Sequence, residues 1–314
     1  MNQICKQFFE LQVPPRQNAQ PLSRPAPSRD RPLRAVLLVS CPAVSGLVTK
    51  LTGFIYGHGG DITHVDHHLD HDMALSFSRI EWNLEHFSLA PEEIESALTG
   101  VACCVDAAWR FSISSRAPRV AIWVSRQDHC LLDLLSRQRA GELRVKIPVI
   151  MSNHPDLQPL ATQFGIDYRH YPITAENQAA QERLQLAALR EQDIELVVLA
   201  RYMRILGPEI VNAFRQRIIN IHHAFLPAFA GADPYERAHV RGVKLVGATA
   251  HYVTAALDEG PIIEQDVIRV THRDSRADLI FKGRDMERVV LARAVRFHLE
   301  NRVGVSGNKT VVFA

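Results

Sequence analysis

The sequence predicts an α/β protein in two parts, a small βαββαβ unit followed by a mostly parallel, doubly wound sheet. Three observations lead there. Apolar runs of strand length alternate with stretches of helical periodicity along most of the chain. A short polar segment ending in proline, Ser112 to Pro118, separates two such series. The chain has 314 residues, 46% of them hydrophobic, which is enough for two cores.

Residues 1–33 carry Pro14, Pro15, Pro21, Pro25, Pro27 and Pro32 among Arg, Gln and Ser. Such a composition buries too little apolar area to offset ordering entropy, so a disordered extension is expected. Ala35 to Val39 is a strand-like run, and Leu47 to Tyr56 has helical spacing. Asp61 to Leu69 and Met73 to Ile80 follow as strands, Pro91 to Leu98 as an amphipathic helix, and Ala107 to Ile113 as a closing strand. This order, over residues 34–112, is that of a ferredoxin-like unit with two helices on one sheet face.

After a linker at 113–118, residues 119–314 form the second part. Val120 to Val124, Ile147 to Met151, Ile194 to Leu199 and Ile218 to Ile221 are strand-like, with helices at Glu182 to Leu189 and Pro208 to Phe214. That alternation implies parallel strands covered on both faces. Val243 to Val253 and Ile262 to Val270 add two strands, and a long helix runs from about Asp278 to Leu299.

The 36 basic and 34 acidic side chains leave a formal charge of +2, spread along the chain. No single-sign field exists to hold a polyanion, so neither nucleic acid nor a membrane surface is expected as partner. The 5 cysteines are odd in number and lack a CxxC pair, which fits reduced thiols and a cytoplasmic location. No run reaches the roughly 20 apolar residues of a membrane span.

Period two along Ile219-Asn220-Ile221-His222 places Asn220 and His222 on one side of a strand end. Asp258 lies in an acidic turn between the two later strands, where its carboxylate can meet the imidazole. Acyl transfer at nitrogen needs an oxyanion donor, a proton carrier near neutrality and a group that orients both; Asn, His and Asp supply these. His251, in the strand before Asp258, either joins that proton network or only bonds the backbone.

Asn220-Ile221-His222, the interval from His251 to Asp258, and Met203-Arg204-Ile205-Leu206 together resemble the signature of the formyltetrahydrofolate-dependent formyltransferase superfamily, over Arg119 to about Leu299. Val197 to Arg204 and Ile221 to Phe229 are most similar to its formyltetrahydrofolate deformylase branch. The resemblance implies that Asn220 polarises the formyl oxygen, His222 shuttles the proton and Asp258 orients water and holds the imidazolium. Met203, Arg204, Ile205 and Leu206 would line the pteridine pocket, with Leu257 in the loop opposite. The substrate would be 10-formyltetrahydrofolate, with no tightly bound cofactor. Superfamily members with a ribonucleotide acceptor hold its phosphate on a glycine-rich first turn. Here Ser125 to Leu131 has no glycine and carries Asp128, so water fits better as acceptor. In that segment Cys130 is read as a core residue.

With Ser40-Cys41-Pro42 closing its first strand and Gly46 opening the helix, the first part resembles an ACT domain. That resemblance implies a homo-oligomer, dimer or tetramer, and an amino-acid effector. The run Cys41 to Gly46 lacks the aspartate usual after Cys-Pro. Ala224 stands where the deformylase pattern has serine, Asp233 where it has lysine or arginine, and Glu236 where it has histidine. His64, His67, His68 and His71 fall on both faces of a strand, so they are read as solvated or interface histidines and no metal site is expected. Two rivals to hydrolysis are kept: a formyltransferase with an amine acceptor, and a folate-sensing relative without turnover.

Overall fold

The computed structural model describes residues 33–102, 107–227 and 234–314, with no side-chain description for Val101 and Ala102. The extension expected at 1–33 therefore lies outside the described residues apart from Leu33, as does Asp233. Leu33–Ala314 forms one unit built on two sheets and a terminal hairpin.

The first sheet contains β1 (Arg34–Pro42), β2 (Asp61–Asp70), β3 (Leu75–Asn83) and β4 (Ala108–Ile113), in the order β2-β3-β1-β4 and antiparallel throughout. Alternation along β1 sends Ala35, Leu37, Val39 and Cys41 to one face, where α1 (Leu47–Gly57) and α2 (Pro91–Ala102) cover them. Leu47, Leu51 and Ile55 of α1, spaced by four, complete that core with Ile80, Trp82, Ile94 and Leu98. Of the histidine run, His64 bonds Asp66 and His67 bonds Ser78.

The second sheet follows the order β11-β10-β9-β8-β5-β6-β7. Its parallel portion contains β5 (Arg119–Val124), β6 (Lys146–Ser152), β7 (Asp167–His170), β8 (Leu196–Leu199) and β9 (Ile218–His222), while β10 (Leu245–Tyr252) and β11 (Ile262–Arg269) run antiparallel. Both faces are buried, which is why β5 reads as unbroken apolar sequence: Val120, Ile122 and Val124 pack toward α3 (His129–Arg139) and α8 (Arg276–Leu299). Ala121 and Trp123 pack the other way, toward α5 (Gln178–Glu191) and α6 (Pro208–Ala213). Each fully buried aliphatic side chain there contributes roughly 1.5–3 kcal/mol. The start of α8 is fixed by a capping box between Ser275 and Asp278.

The remaining elements are α4 (Gln158–Gln163), α7 (Pro234–Arg241) and the hairpin β12 (Val303–Ser306) with β13 (Lys309–Val312). The hairpin and the end of α8 lie against the face of the first sheet that α1 and α2 leave open. Buried Arg79 donates to the Glu300 carbonyl, Arg110 to that of Val303, and the Asn301 amide to Ser112 Oγ. Gly304 is required at this seam, because a Cβ there would stand 2.4 Å from the Phe77 ring.

Candidate active site

A cavity of about 400 Å³ opens where β8 and β9 end and the loop after β10 returns. Asn220, His222, His251 and Asp258 all line it. The register of β9 and β10 sets His251 directly opposite Asn220 and Thr249 opposite His222. Asn220 Nδ2 lies 3.2 Å from His251 Nε2, and His251 Nδ1 lies 3.0 Å from the Tyr252 carbonyl oxygen. A carbonyl only accepts, so Nδ1 carries a proton and Nε2 is the acceptor that faces the amide. That contact turns the Asn220 nitrogen, with a second N–H to spare, rather than its oxygen toward the imidazole.

Asp258 completes the group: its carboxylate oxygens stand 3.3 Å from His222 Nδ1 and 3.6 Å from His251 Nε2. The contact with His222 is the largest influence holding the carboxyl well below the usual range, against the opposing effect of burial. Its backbone is left-handed, with φ 56°. Two residues on, Gly260 lets the loop pass so close to β10 that a Cβ would stand 1.7 Å from the Tyr252 oxygen. His222 Nε2 is buried and has no hydrogen-bond partner among the described residues, so the ring is held at Nδ1 while its other nitrogen stays uncommitted.

The other wall is the segment after β8. The Met203 N–H donates to Ser125 Oγ, Arg204 to the Ile173 carbonyl, and Gln178 to the Ile205 carbonyl. The backbone is pinned while Met203 and Ile205 stay largely exposed, and Leu257 faces outward from the loop opposite. With Leu206 these side chains make an apolar stretch of the cavity wall. Ala224 is buried, and its carbonyl accepts from Thr249 Oγ1, which in turn accepts from the Leu226 N–H. Glu236 turns to the surface and pairs with Arg276 at 2.9 Å.

Sequence reasoning missed a second buried group behind this cavity. Glu287 of α8 accepts from Tyr235 Oη at 2.7 Å, contacts His129 Nε2 at 2.7 Å and lies 3.4 Å from Arg201 Nε. Burial is the largest influence on Glu287 and opposes its charge, but His129 and Arg201 outweigh it, so the carboxyl stays below its ordinary range. His223, beside His222 and Tyr235, is pushed down to about 4 by burial and by the Arg201 cation. Of this neighbourhood the sequence reading reaches only Cys130, which lies in the core as expected.

The formyl transferase family matches residues 118–295. The formyltetrahydrofolate deformylase of Synechocystis sp. is 58% identical, with 90% of this chain and 99% of that protein aligned. That of Bacillus subtilis is 45% identical over 88% of this chain and 93% of its own length. The crystal structure of a formyltetrahydrofolate deformylase from Pseudomonas syringae pv. tomato superposes with a TM-score of 0.89 at 41% identity, covering 91% of this chain and 96% of that one.

Proposed function

The chain belongs to the formyltetrahydrofolate deformylases, and from that premise we propose that its cavity hydrolyses 10-formyltetrahydrofolate to tetrahydrofolate and formate. One observation carries the mechanism: His222 is fixed at Nδ1 by an anionic Asp258, lines the same cavity as the Asn220 amide, and has no hydrogen-bond partner at Nε2 among the described residues. The pteridine sits between Met203 to Leu206 and Leu257, which leaves the formyl group facing the polar end.

Water adds to the formyl carbon while His222 Nε2 takes its proton. The free Asn220 N–H donates to the formyl oxygen as negative charge develops there; removing one such donor typically costs about 10²–10³ in kcat. The protonated imidazole then delivers its proton to N10 as the carbon–nitrogen bond breaks, and Asp258 stabilises the imidazolium in between. His251 acts through Asn220 and Asp258, holding the amide in its donating orientation. Every step falls to a side chain, so no resident cofactor is proposed.

Residues 119–314 are assigned as the catalytic part, 34–112 as a regulatory part and 113–118 as their linker. The first sheet leaves β2 and β4 as outer strands, and pairing along one of them would give the homo-oligomer, dimer or tetramer. An amino-acid effector would have to enter the cavity bordered by Ala43 to Thr49, His67, Leu69 and Ser76, whose lining carries no charged side chain to meet it. No described helix is long and apolar enough to cross a membrane, and we assign the enzyme to the cytoplasm, where released formate supplies purine synthesis.

Purified protein incubated with 10-formyltetrahydrofolate and no amine should release tetrahydrofolate and formate in equal amounts. Release only on addition of an amine would move the assignment to a transferase, and tight folate binding without release to a sensor.

A further inference from the structure

Arg201 follows β8 at the back of the catalytic cavity and is not used by the mechanism above. Its φ is 64°, in a region that non-glycine residues seldom occupy unless the surroundings impose it. The side chain is 7% exposed, and both Nε and Nη1 are buried with no hydrogen-bond partner among the described residues. Glu287 balances its charge but is committed elsewhere: the short contacts of that carboxylate go to His129 and Tyr235. A buried guanidinium with idle donors is costly unless an acceptor reaches it during the working cycle.

We propose that Arg201 is the seat of the product anion, receiving the carboxylate of formate, or another small monovalent anion, on the acceptor side of the cavity. The proposal rests on the deformylase reading. Hydrolysis turns a neutral formyl group into formic acid, which loses its proton and leaves an anion in a cavity whose opposite wall is apolar. A planar guanidinium matches a carboxylate with two parallel hydrogen bonds. The donors are shielded, so the side chain must turn about its terminal torsions to present them. Glu287 tolerates that turn, because His129 and Tyr235 still satisfy it. Arg201 thereby sets the acceptor side for a small anion.

The test is a titration of the purified protein with [13C]formate, followed by line broadening, with tetrahydrofolate binding measured in parallel. Arg201→Gln should lose formate affinity by about tenfold or more, the scale of a charged hydrogen-bonded pair, while tetrahydrofolate affinity moves by less than about twofold. Arg201→Lys, which keeps the charge but not the fork, should fall between. Glu287→Gln should bind formate more tightly, because the guanidinium loses its anionic neighbour, whereas a merely structural pair would weaken together. Unchanged formate affinity in a folded Arg201→Gln protein overturns the proposal. Should that variant fail to fold, unchanged affinity in Arg201→Lys together with no gain in Glu287→Gln overturns it equally. Arg201-dependent formate binding without any hydrolysis would sink the deformylase reading and leave the anion site standing; hydrolysis without such binding would do the reverse.

Discussion

Each of the two sheets carries a cavity beside a strand end, of about 400 Å³ in the second sheet and about 320 Å³ in the first, yet they are built from opposite materials. The second is walled by buried His222, His251 and Arg201 and by Asp258, a carboxylate held below its ordinary range. The first is lined by Ala43, Val44, Ser45, Gly46 and neighbours, with His67 its one titratable side chain and that one engaged by Ser78. A free amino acid brings both an ammonium and a carboxylate, and this lining offers no charged side chain to either. Cavity size therefore says little about chemical commitment. The number of buried polar groups with unmet hydrogen bonds says more.

The sharpest break of this contrast is Asp258→Asn. It should lower turnover by about 10³-fold or more, since the imidazolium loses its counter-charge, while the protein still folds. Asparagine tolerates the left-handed backbone at this position, which keeps the fold out of the result. A variant retaining a near-normal rate would remove Asp258 from the mechanism. Asn220→Ala should cost about 10²–10³ in kcat with a smaller change in KM, read from initial rates.

Acid should act on the second sheet before the first, because the histidines held below their ordinary range among the described residues, His154, His223 and His298, all belong to that part. His298, bonded to Tyr252 near the end of α8, is pushed down to about 3 by burial and by Arg110 and Arg217; His223 is at about 4. Unfolding returns both to the ordinary value near 6.5, so below that pH the unfolded chain binds more protons. Stability should be full above about pH 6.5 and fall from there toward pH 4. Asp258, shifted down, adds a loss that begins only near 3.8. Melting temperatures at pH 7.5 and 5.5 would show the drop, and His298→Gln should make it shallower. An equal drop in that variant would place the acid sensitivity elsewhere.

The smallest effect is expected at the first sheet. Amino acids at millimolar concentration should alter the rate by less than about twofold, in keeping with a lining without charged side chains. A tenfold response would break the comparison and show that the charged partners come from outside the described cavity.

The fold was legible where periodicity was strong. The strands β1, β5 and β9 and the helix α8 appear as the apolar pattern predicts, because burial on one or both faces dictates those residues. The second sheet's outer strand β7, Asp167-Tyr168-Arg169-His170, was not, since a short edge strand with polar residues has no apolar repeat to reveal it. Nor was the hairpin of β12 and β13, whose Gly304 and Ser306 answer to Phe77 and Asp70 of the first sheet. In the site, Asn220, His222, His251 and Asp258 could be proposed together because strand alternation and a turn link them over a short interval. Arg201, His129, Tyr235 and Glu287 come from four distant segments. Glu287 within an amphipathic helix reads as one more solvated charge.

The position of Glu287 gives α8 a mechanical meaning. The helix backs the catalytic cavity at its middle, and roughly 18 Å further on, at about 1.5 Å per residue, its end is pinned beneath the first sheet through the Glu300 carbonyl and Asn301. A helix of 24 residues transmits tilt with little bending. The chain thus possesses a lever whose far arm rests on Arg79 and Ser112 and whose near arm bears on the carboxylate facing Arg201. A displacement of the first sheet need not travel through any loop to be felt where formyl chemistry takes place.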